Sequence, residues 1–233
     1  FLASCKKCGF VFCFRIPTQD ELQKHYDTYL RIETVSIATS NRFEELLDEF
    51  EKFRQSNNII DIGCGNGHFL AAAKKRGWNV YGTEYADEAI KFCEQKGITM
   101  QKGMLNPGNY KTGIFDIVVS IEVIEHINYP HTEIENFNLL LRKGGLLYLT
   151  TPNFNSLSRY YLKSKWNIIE YPEHLCYFTP DSLNKLLKRH HFEKAKISTT
   201  GISPARFKQA YATERWQFGQ ETDRKSTRLN SSH

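Results

Sequence analysis

Asn58-Ile59-Ile60-Asp61-Ile62-Gly63-Cys64-Gly65-Asn66-Gly67 decides how this chain is read. A short apolar run ends in an acidic residue and passes into three glycines spaced by two. The run suits a buried parallel strand, and the glycines suit a tight turn. Phe69, Leu70 and Ala73 then recur at helical spacing, so the unit reads strand, glycine loop, helix. Gly63 and Gly65 carry no Cβ and accept positive φ, so a ligand can approach the backbone where the next helix offers N–H groups. A second strand, Asn79 to Thr83, ends at Glu84, about 20 residues on, where α/β nucleotide folds hold ribose hydroxyls with a carboxylate.

The spacing also selects the nucleotide. A dinucleotide loop reads G-x-G-x-x-G, whereas this one reads G-x-G-x-G with His68 where the last glycine would stand. The pattern D-I-G-C-G-N-G with a downstream Glu resembles motif I of class I S-adenosylmethionine-dependent methyltransferases. That resemblance implies an α/β, Rossmann-like fold with a mostly parallel, doubly wound sheet, and S-adenosylmethionine as cofactor. Carried over residue by residue, it places Asp61, Gly63, Cys64, Gly65, Gly67, Glu84, Tyr85, Met104, Leu105 and Ser120 around the cofactor. In it Asp61 orients the loop and the methionine amino group, Glu84 takes the ribose hydroxyls, and Met104 and Leu105 pack on adenine. The Asp that many relatives place near that last pair is absent here.

At 233 residues the chain has room for one α/β core and a small appendage. Residues 223–233, Asp-Arg-Lys-Ser-Thr-Arg-Leu-Asn-Ser-Ser-His, look like a translated sequencing adapter. That tail carries three basic residues and one acidic one, so without it the net charge of +5 falls to +3. Nothing so mild calls for a polyanionic partner, and nucleic acid is not expected. Residue 1 is Phe with no signal-peptide pattern, which reads as a fragment. Glu122 interrupts the longest apolar stretch well short of the ~18 residues that cross a membrane, so no membrane partner is expected. Scattered Cys64, Cys93 and Cys176 read as free thiols in a reducing cytoplasm.

Residues 1–25 contain Cys5-Lys6-Lys7-Cys8, a knuckle that resembles half of a zinc ribbon. Zinc needs four ligands, so Cys5 and Cys8 would bind it only with the missing half restored. A ribbon, a Tyr-bearing linker and a methyltransferase core together resemble bacterial methyltransferases of sugar and cell-surface polysaccharide biosynthesis. Residues 26–57 read as a helical lid, in which Tyr26, Tyr29 and Arg42 either close over the cofactor or simply pack. Asn41-Arg42-Phe43-Glu44 opens a helix with Phe43, Leu46, Leu47, Phe50 and Phe53 as its apolar stripe. Residues 58–205 form the core, with a helix from Ala86 to Gln95, strands at 98–103 and 115–120, a helix over Pro130 to Leu141 and a strand over Leu146 to Thr151. Residues 152–179 are an insertion. A helix capped at Thr179 follows, then a sixth strand from Ala195 to Thr200. Residues 206–222 form a tail with no candidate for the family's seventh strand, leaving an exposed edge.

The methyl donor is already activated, so the protein has to align a nucleophile and, for a hydroxyl, remove its proton. Glu125 and His126, after the fourth core strand, and His174, in the insertion, are the catalytic candidates; a histidine beside a helix start is otherwise structural. Glu122, Glu125 and His126 stand at i, i+3 and i+4, sharing one face if helical. This E-x-x-E-H pattern with a distal His resembles the divalent-metal site of small-RNA terminal 2′-O-methyltransferases and ubiquinone-pathway O-methyltransferases. It implies Mg²⁺ or Mn²⁺ held by Glu122, Glu125, His126 and His174, with a histidine base as the alternative. No D/N-P-P-Y/F motif follows the fourth strand, which excludes that signature of DNA-base methylation. Tyr160, Tyr161, Trp166 and Tyr171 either wall a substrate site or pack the insertion. The expected activity is methyl transfer to a small-molecule acceptor, a hydroxyl of a sugar or biosynthetic intermediate. A terminal RNA 2′-O-methyltransferase and a truncated cofactor-binding domain without turnover are the alternatives. The acceptor and the oligomeric state are not written in the sequence.

Overall fold

The computed structural model describes residues 2–18, 21, 34–163, 166–169, 171–193 and 196–199. The lid tyrosines Tyr26 and Tyr29, the region of the seventh strand and the adapter-like tail lie outside them.

The glycine loop joins strand β3 (Asn58–Ile62) to helix α2 (His68–Lys75), and β4 (Asn79–Glu84) leads into α3 (Asp87–Gln95). Next come β5 (Thr99–Lys102), β6 (Phe115–Ile121), α4 (Pro130–Leu140) and β7 (Leu141–Thr150). These five strands form one parallel sheet in the order β5-β4-β3-β6-β7. The strand order reverses at β3, the central strand, so the crevice beyond its carboxyl end is where ligands bind in such sheets.

The middle strands are apolar on both faces because helices cover both faces. Ile59, Ile117 and Val119 pack with α2 and with α1 (Ile37–Phe50), where Leu46, Leu47 and Phe50 are buried. Ile60, Val118 and Phe115 pack the other way, onto Ile134, Phe137 and Leu140 of α4. Each such fully buried side chain contributes about 1.5–3 kcal/mol relative to exposure.

Helix α1 begins at Ile37, four residues before the expected start, because Ser36 accepts the Thr39 N–H and caps it there. The last core strand also starts early, at Leu141 rather than Leu146. Its pairing with β6 slips between Phe115 and Ile117, and the irregular stretch carries Gly144 at φ 74°. Gly145 admits no side chain: a Cβ there would stand 2.9 Å from the Asp116 carbonyl oxygen. Asp116 is an anchor that sequence reading passed over. Its Oδ2 accepts the N–H groups of Gln55, Ser56 and Asn57 at 2.8, 2.8 and 2.9 Å, and its Oδ1 accepts Arg142 Nε at 2.6 Å. Arg142 in turn donates to the Phe53 carbonyl, so one ion pair fixes the approach to β3.

A second sheet was not foreseen. The N-terminal hairpin, β1 (Leu2–Ser4) and β2 (Val11–Cys13), pairs antiparallel with β8 (Cys176–Tyr177) of the insertion. Helix α5 (Leu157–Leu162) and Trp166 close the small core beneath it, with Cys13, Ile168, Leu175 and Tyr177. Helix α6 (Pro180–Arg189) starts as expected, with Thr179 and Ser182 in a reciprocal capping box. Of the expected sixth strand, Ala195 to Thr200, the described residues Lys196–Thr199 are irregular. Their alternating Lys-Ile-Ser-Thr pattern is exposed throughout and has no buried face to hold it as a strand.

Candidate functional site

Gly63, Gly65 and Gly67 all take left-handed backbone, at φ 68, 53 and 66°. Their reasons differ. A Cβ on Gly63 would meet Val123 Cγ2 at 2.8 Å, and one on Gly67 would meet Cys93 Sγ at 2.7 Å, so these two are closed in by protein. At Gly65 a Cβ would meet nothing within 4 Å. That open position faces the space a ligand would use.

Neighbouring strands hold the loop. Gly63 N–H donates to Thr83 Oγ1 at 3.1 Å, Cys64 N–H to the Thr83 carbonyl at 3.0 Å, and Gly65 N–H to Glu84 Oε2 at 3.1 Å. Glu84 Oε1 accepts the N–H groups of Tyr85 and Ala86 at 2.8 and 3.1 Å. The carboxylate expected to read ribose is thereby fixed against the loop in advance. Asp61, buried beneath it, has its carboxyl pushed well above the ordinary range by burial, with Cys93 and Glu84 adding to the push. A cationic amino group set beside Asp61 would offset that cost.

The remaining expected cofactor residues divide. Ser120 is fully buried near the end of β6, and its Oγ has no partner among the described residues. Leu105 belongs to the core against α4, whereas Met104 is 48% exposed. Tyr85 is half-buried, its hydroxyl raised in pKa by burial and then by Glu133 and Glu84. The open Gly65 position, the buried acid and the positioned carboxylate fit the amino-acid and ribose parts of S-adenosylmethionine. Arg42 lies on the exposed side of α1 in an ion pair with Glu45 at 3.0 Å.

The second cluster assembles at the end of β6. Glu125, His126 and His174 each present a ligand atom, all within 4.8 Å of one another. Their rings and carboxyl are pinned from behind. His126 Nδ1 lies 2.8 Å from the Glu173 carbonyl oxygen, and His174 Nδ1 lies 2.6 Å from that of Ile168. A carbonyl only accepts, so each Nδ1 carries a proton, and the tautomer this favours leaves the lone pair on Nε2. Glu125 Oε2 accepts a hydrogen bond from Thr151 Oγ1 at 3.0 Å, while Oε1 is buried without a partner among the described residues. Burial, reinforced by the nearby Glu122 charge, pushes the Glu125 carboxyl up to about 8.

The small sheet formed by the N-terminal hairpin and β8 buttresses this cluster, a link the sequence did not reveal. Cys13 Sγ and Tyr177 Oη both donate to the His174 carbonyl, at 3.3 and 3.0 Å, and Leu175 N–H donates to the Glu125 carbonyl at 2.8 Å. Glu122 does not join the cluster. The segment is a single 3-10 turn, Ile124–His126, and Glu122 precedes it at φ 54°, exposed, with its N–H on the Thr150 carbonyl. The helical i, i+3, i+4 face therefore never forms.

A cleft of about 610 Å³ is lined by Leu2, Phe154, Arg159, Tyr160, Lys163 and Ile169, the residue after Ile168, whose carbonyl holds His174. The aromatic residues of the insertion split between two roles. Trp166 is buried in the small core, while Tyr160 is 75% exposed at the cleft. At the other end of the chain, Cys5 and Cys8 sit in a tight turn, with Gly9 N–H on the Cys5 carbonyl at 2.8 Å. Hydrogen bonds from the backbone N–H groups of Cys8 and Lys7 lower the pKa of the Cys5 thiol. The three-ligand cluster of Glu125, His126 and His174 does not include them.

A family described as a methyltransferase domain matches residues 37–197. Ubiquinone biosynthesis O-methyltransferase of Colwellia psychrerythraea is 31% identical over 116 residues, covering 45% of each protein. The same-named protein of Roseobacter denitrificans is 27% identical over 177 residues, covering 68% of each. Apart from that longer match, the chain spans about half the length of the curated relatives it matches. A crystal structure of an S-adenosylmethionine-dependent methyltransferase from Archaeoglobus fulgidus shares the fold, with a TM-score of 0.54 at 21% identity over 76% of this chain and 86% of that one.

Proposed function

The chain belongs to the methyltransferase-domain family with the class I fold, and from that membership we propose that it moves a methyl group from S-adenosylmethionine to a hydroxyl of a small molecule. The observation that carries the hydroxyl is the convergence of Glu125, His126 and His174 beyond β6, beside the crevice where the glycine loop lies. The names of the relatives, O-methyltransferases of ubiquinone biosynthesis, support the same chemistry.

Bound S-adenosylmethionine supplies a methyl already activated on a sulfonium, so the residues have to hold, align and deprotonate. Glu84 and the Gly65 backbone hold the nucleoside end, and Asp61 faces the amino end. Thr151, Glu173 and Ile168 keep Glu125, His126 and His174 from turning away. An acceptor hydroxyl placed against this trio loses its proton to an imidazole Nε2; were a cation held by Glu125, His126 and His174, it would supply Lewis acidity to that hydroxyl. The trio fits Mn²⁺ better than Mg²⁺: two imidazoles with one carboxylate are a mixed donor set that a hard, oxygen-seeking cation disfavours, and each histidine has the carbonyl partner that orients metal ligands. The cleft bounded by Phe154, Tyr160 and Ile169 would take the rest of the acceptor, its aromatic faces suiting a phenol or a sugar.

The test is S-adenosylhomocysteine formation across catechol, phenol, sugar and sugar-nucleotide acceptors, before and after exhaustive chelation. Turnover lost in chelator and restored by Mn²⁺ assigns the trio to a metal. Turnover unchanged in chelator but abolished in His126→Ala or His174→Ala assigns it to a base. Full turnover in Glu125→Gln and in both histidine variants removes the trio from the reaction.

A further inference from the structure

Cys64 stands inside the glycine loop, and its Sγ lies 4.0 Å from Sγ of Cys93 on α3. Both thiols are free, and both point at one acceptor: Cys93 Sγ is 3.3 Å and Cys64 Sγ 3.8 Å from the Gly65 carbonyl oxygen. The same Gly65 peptide donates its N–H to Glu84. In the reduced protein, two S–H groups thus help fix the residue whose exposed face would receive the cofactor.

The packing leaves the sulfurs room that only glycines provide. A Cβ on Gly67 would stand 2.7 Å from Cys93 Sγ, and one on Gly82 would stand 2.7 Å from Cys64 Sγ. Cys64 is half-buried, and Gly65 beside it opens onto free space, so a small oxidant has a route when no ligand covers the loop. Around Cys93, the facing charged and titratable groups are Cys64, Lys96, Glu84 and Glu94, with Asp61 acting on Cys64.

We propose that Cys64 and Cys93 form a reversible oxidation site that couples peroxide to loss of S-adenosylmethionine binding. Hydrogen peroxide oxidises one thiol to a sulfenic acid with release of water. The second thiol displaces hydroxide from that sulfur, giving the disulfide and a second water; overall two thiols yield two electrons and two protons. A thiol reductant reverses the step by exchange. A disulfide needs its sulfurs about 2.05 Å apart, so closing it draws Cys64 and Cys93 together by roughly 2 Å. It also removes both S–H donors from the Gly65 carbonyl. Gly65 then loses the placement that aligns its N–H with Glu84, and the ribose and loop contacts go with it.

The inference rests on the reading that this loop holds S-adenosylmethionine, and the test separates the two. The protein is treated with hydrogen peroxide, with and without dithiothreitol afterwards. Calorimetry with S-adenosylhomocysteine and mass spectrometry of the unreduced digest follow. The expected result is a Cys64–Cys93 cross-link, affinity weakened at least about tenfold, and recovery on reduction. In Cys93→Ser, whose hydroxyl can still donate to Gly65, reduced affinity is retained and peroxide has no effect. Saturating S-adenosylhomocysteine slows the wild-type cross-link but not oxidation of the exposed Cys8, which keeps the test intact should Cys93→Ser misfold. A digest with no Cys64–Cys93 cross-link, or a cross-linked protein that binds normally, overturns the proposal. Reduced protein that fails to bind S-adenosylhomocysteine overturns the cofactor reading, while the cross-link still reports on the pair.

Discussion

Replacing Glu84 with alanine probes the hinge between fold and function. In the structure at least three acceptor positions of this carboxylate are taken by the backbone N–H groups of Gly65, Tyr85 and Ala86. A carboxylate offers about four. On the proposed reading a ribose hydroxyl meets a group already held in place, and the variant loses that charge-assisted bond, about 1.5–3 kcal/mol. The expected loss of affinity is roughly 10- to 100-fold. Truncation also frees the Gly65, Tyr85 and Ala86 N–H groups at the cleft, where water can reach them, so stability should fall by only about 1 kcal/mol. Calorimetric titration with S-adenosylhomocysteine measures the first effect and urea unfolding the second. A folded variant binding within twofold of the wild type would refute the assignment of Glu84. Equal losses in stability and binding would make it a loop strut and not a ligand contact.

Three further outcomes are expected. Gly65→Ala should weaken cofactor binding by more than it lowers stability, since its Cβ enters open space at a cost of about 1–2 kcal/mol for left-handed backbone; Gly63→Ala, closed by Val123, should mainly unfold. Thermal unfolding and calorimetry of both separate the cases, and the reverse order would mean that Gly65 does not face a ligand. Asp116→Asn should cost about 3 kcal/mol of stability, because Arg142 loses its charge partner in a buried network. Burial opposes ionisation of Asp116, but the Gln55 N–H, Arg142 and Ser56 outweigh it and hold the carboxyl below its usual range. Its contribution to stability is thus complete above about pH 4 and is lost as pH falls below that, where the unfolded chain takes up the proton first. Urea unfolding of wild type and variant between neutral and acid pH should show the gap closing on acidification; a gap independent of pH would contradict the ionised pair. Tyr177→Phe, which removes one bond to the His174 carbonyl, should lower turnover severalfold with cofactor affinity unchanged; unaltered turnover would mean that β8 does not position His174 through this bond.

What could be read from the sequence was the part governed by local spacing. The β3 loop, Glu84 and the alternation of strands with helices follow from glycine positions and apolar runs, and the parallel sheet follows from them. The pairing of Val11 with Tyr177 joins segments far apart along the chain, and no local pattern announces it. Asp116 was hidden for a related reason. In sequence it is one acid in an apolar strand, and its role depends on N–H groups and an arginine that only folding brings near. At Glu122 the spacing itself misled: three residues fit a helical face, but the backbone turns at φ 54° and leaves one of them outside. Glu125, His126 and His174 did converge, because the insertion returns to β6 through the bond between Leu175 and Glu125.

The account is tested most directly by following the methyl group itself. Purified protein is incubated with methyl-labelled S-adenosylmethionine and the acceptor panel, and the products are identified by nuclear magnetic resonance. A labelled methoxyl group, formed by wild type and lost in Glu125→Gln and His174→Ala, is the predicted result. Label found only on nitrogen or carbon, or no labelled product from a protein that binds S-adenosylhomocysteine, would contradict it.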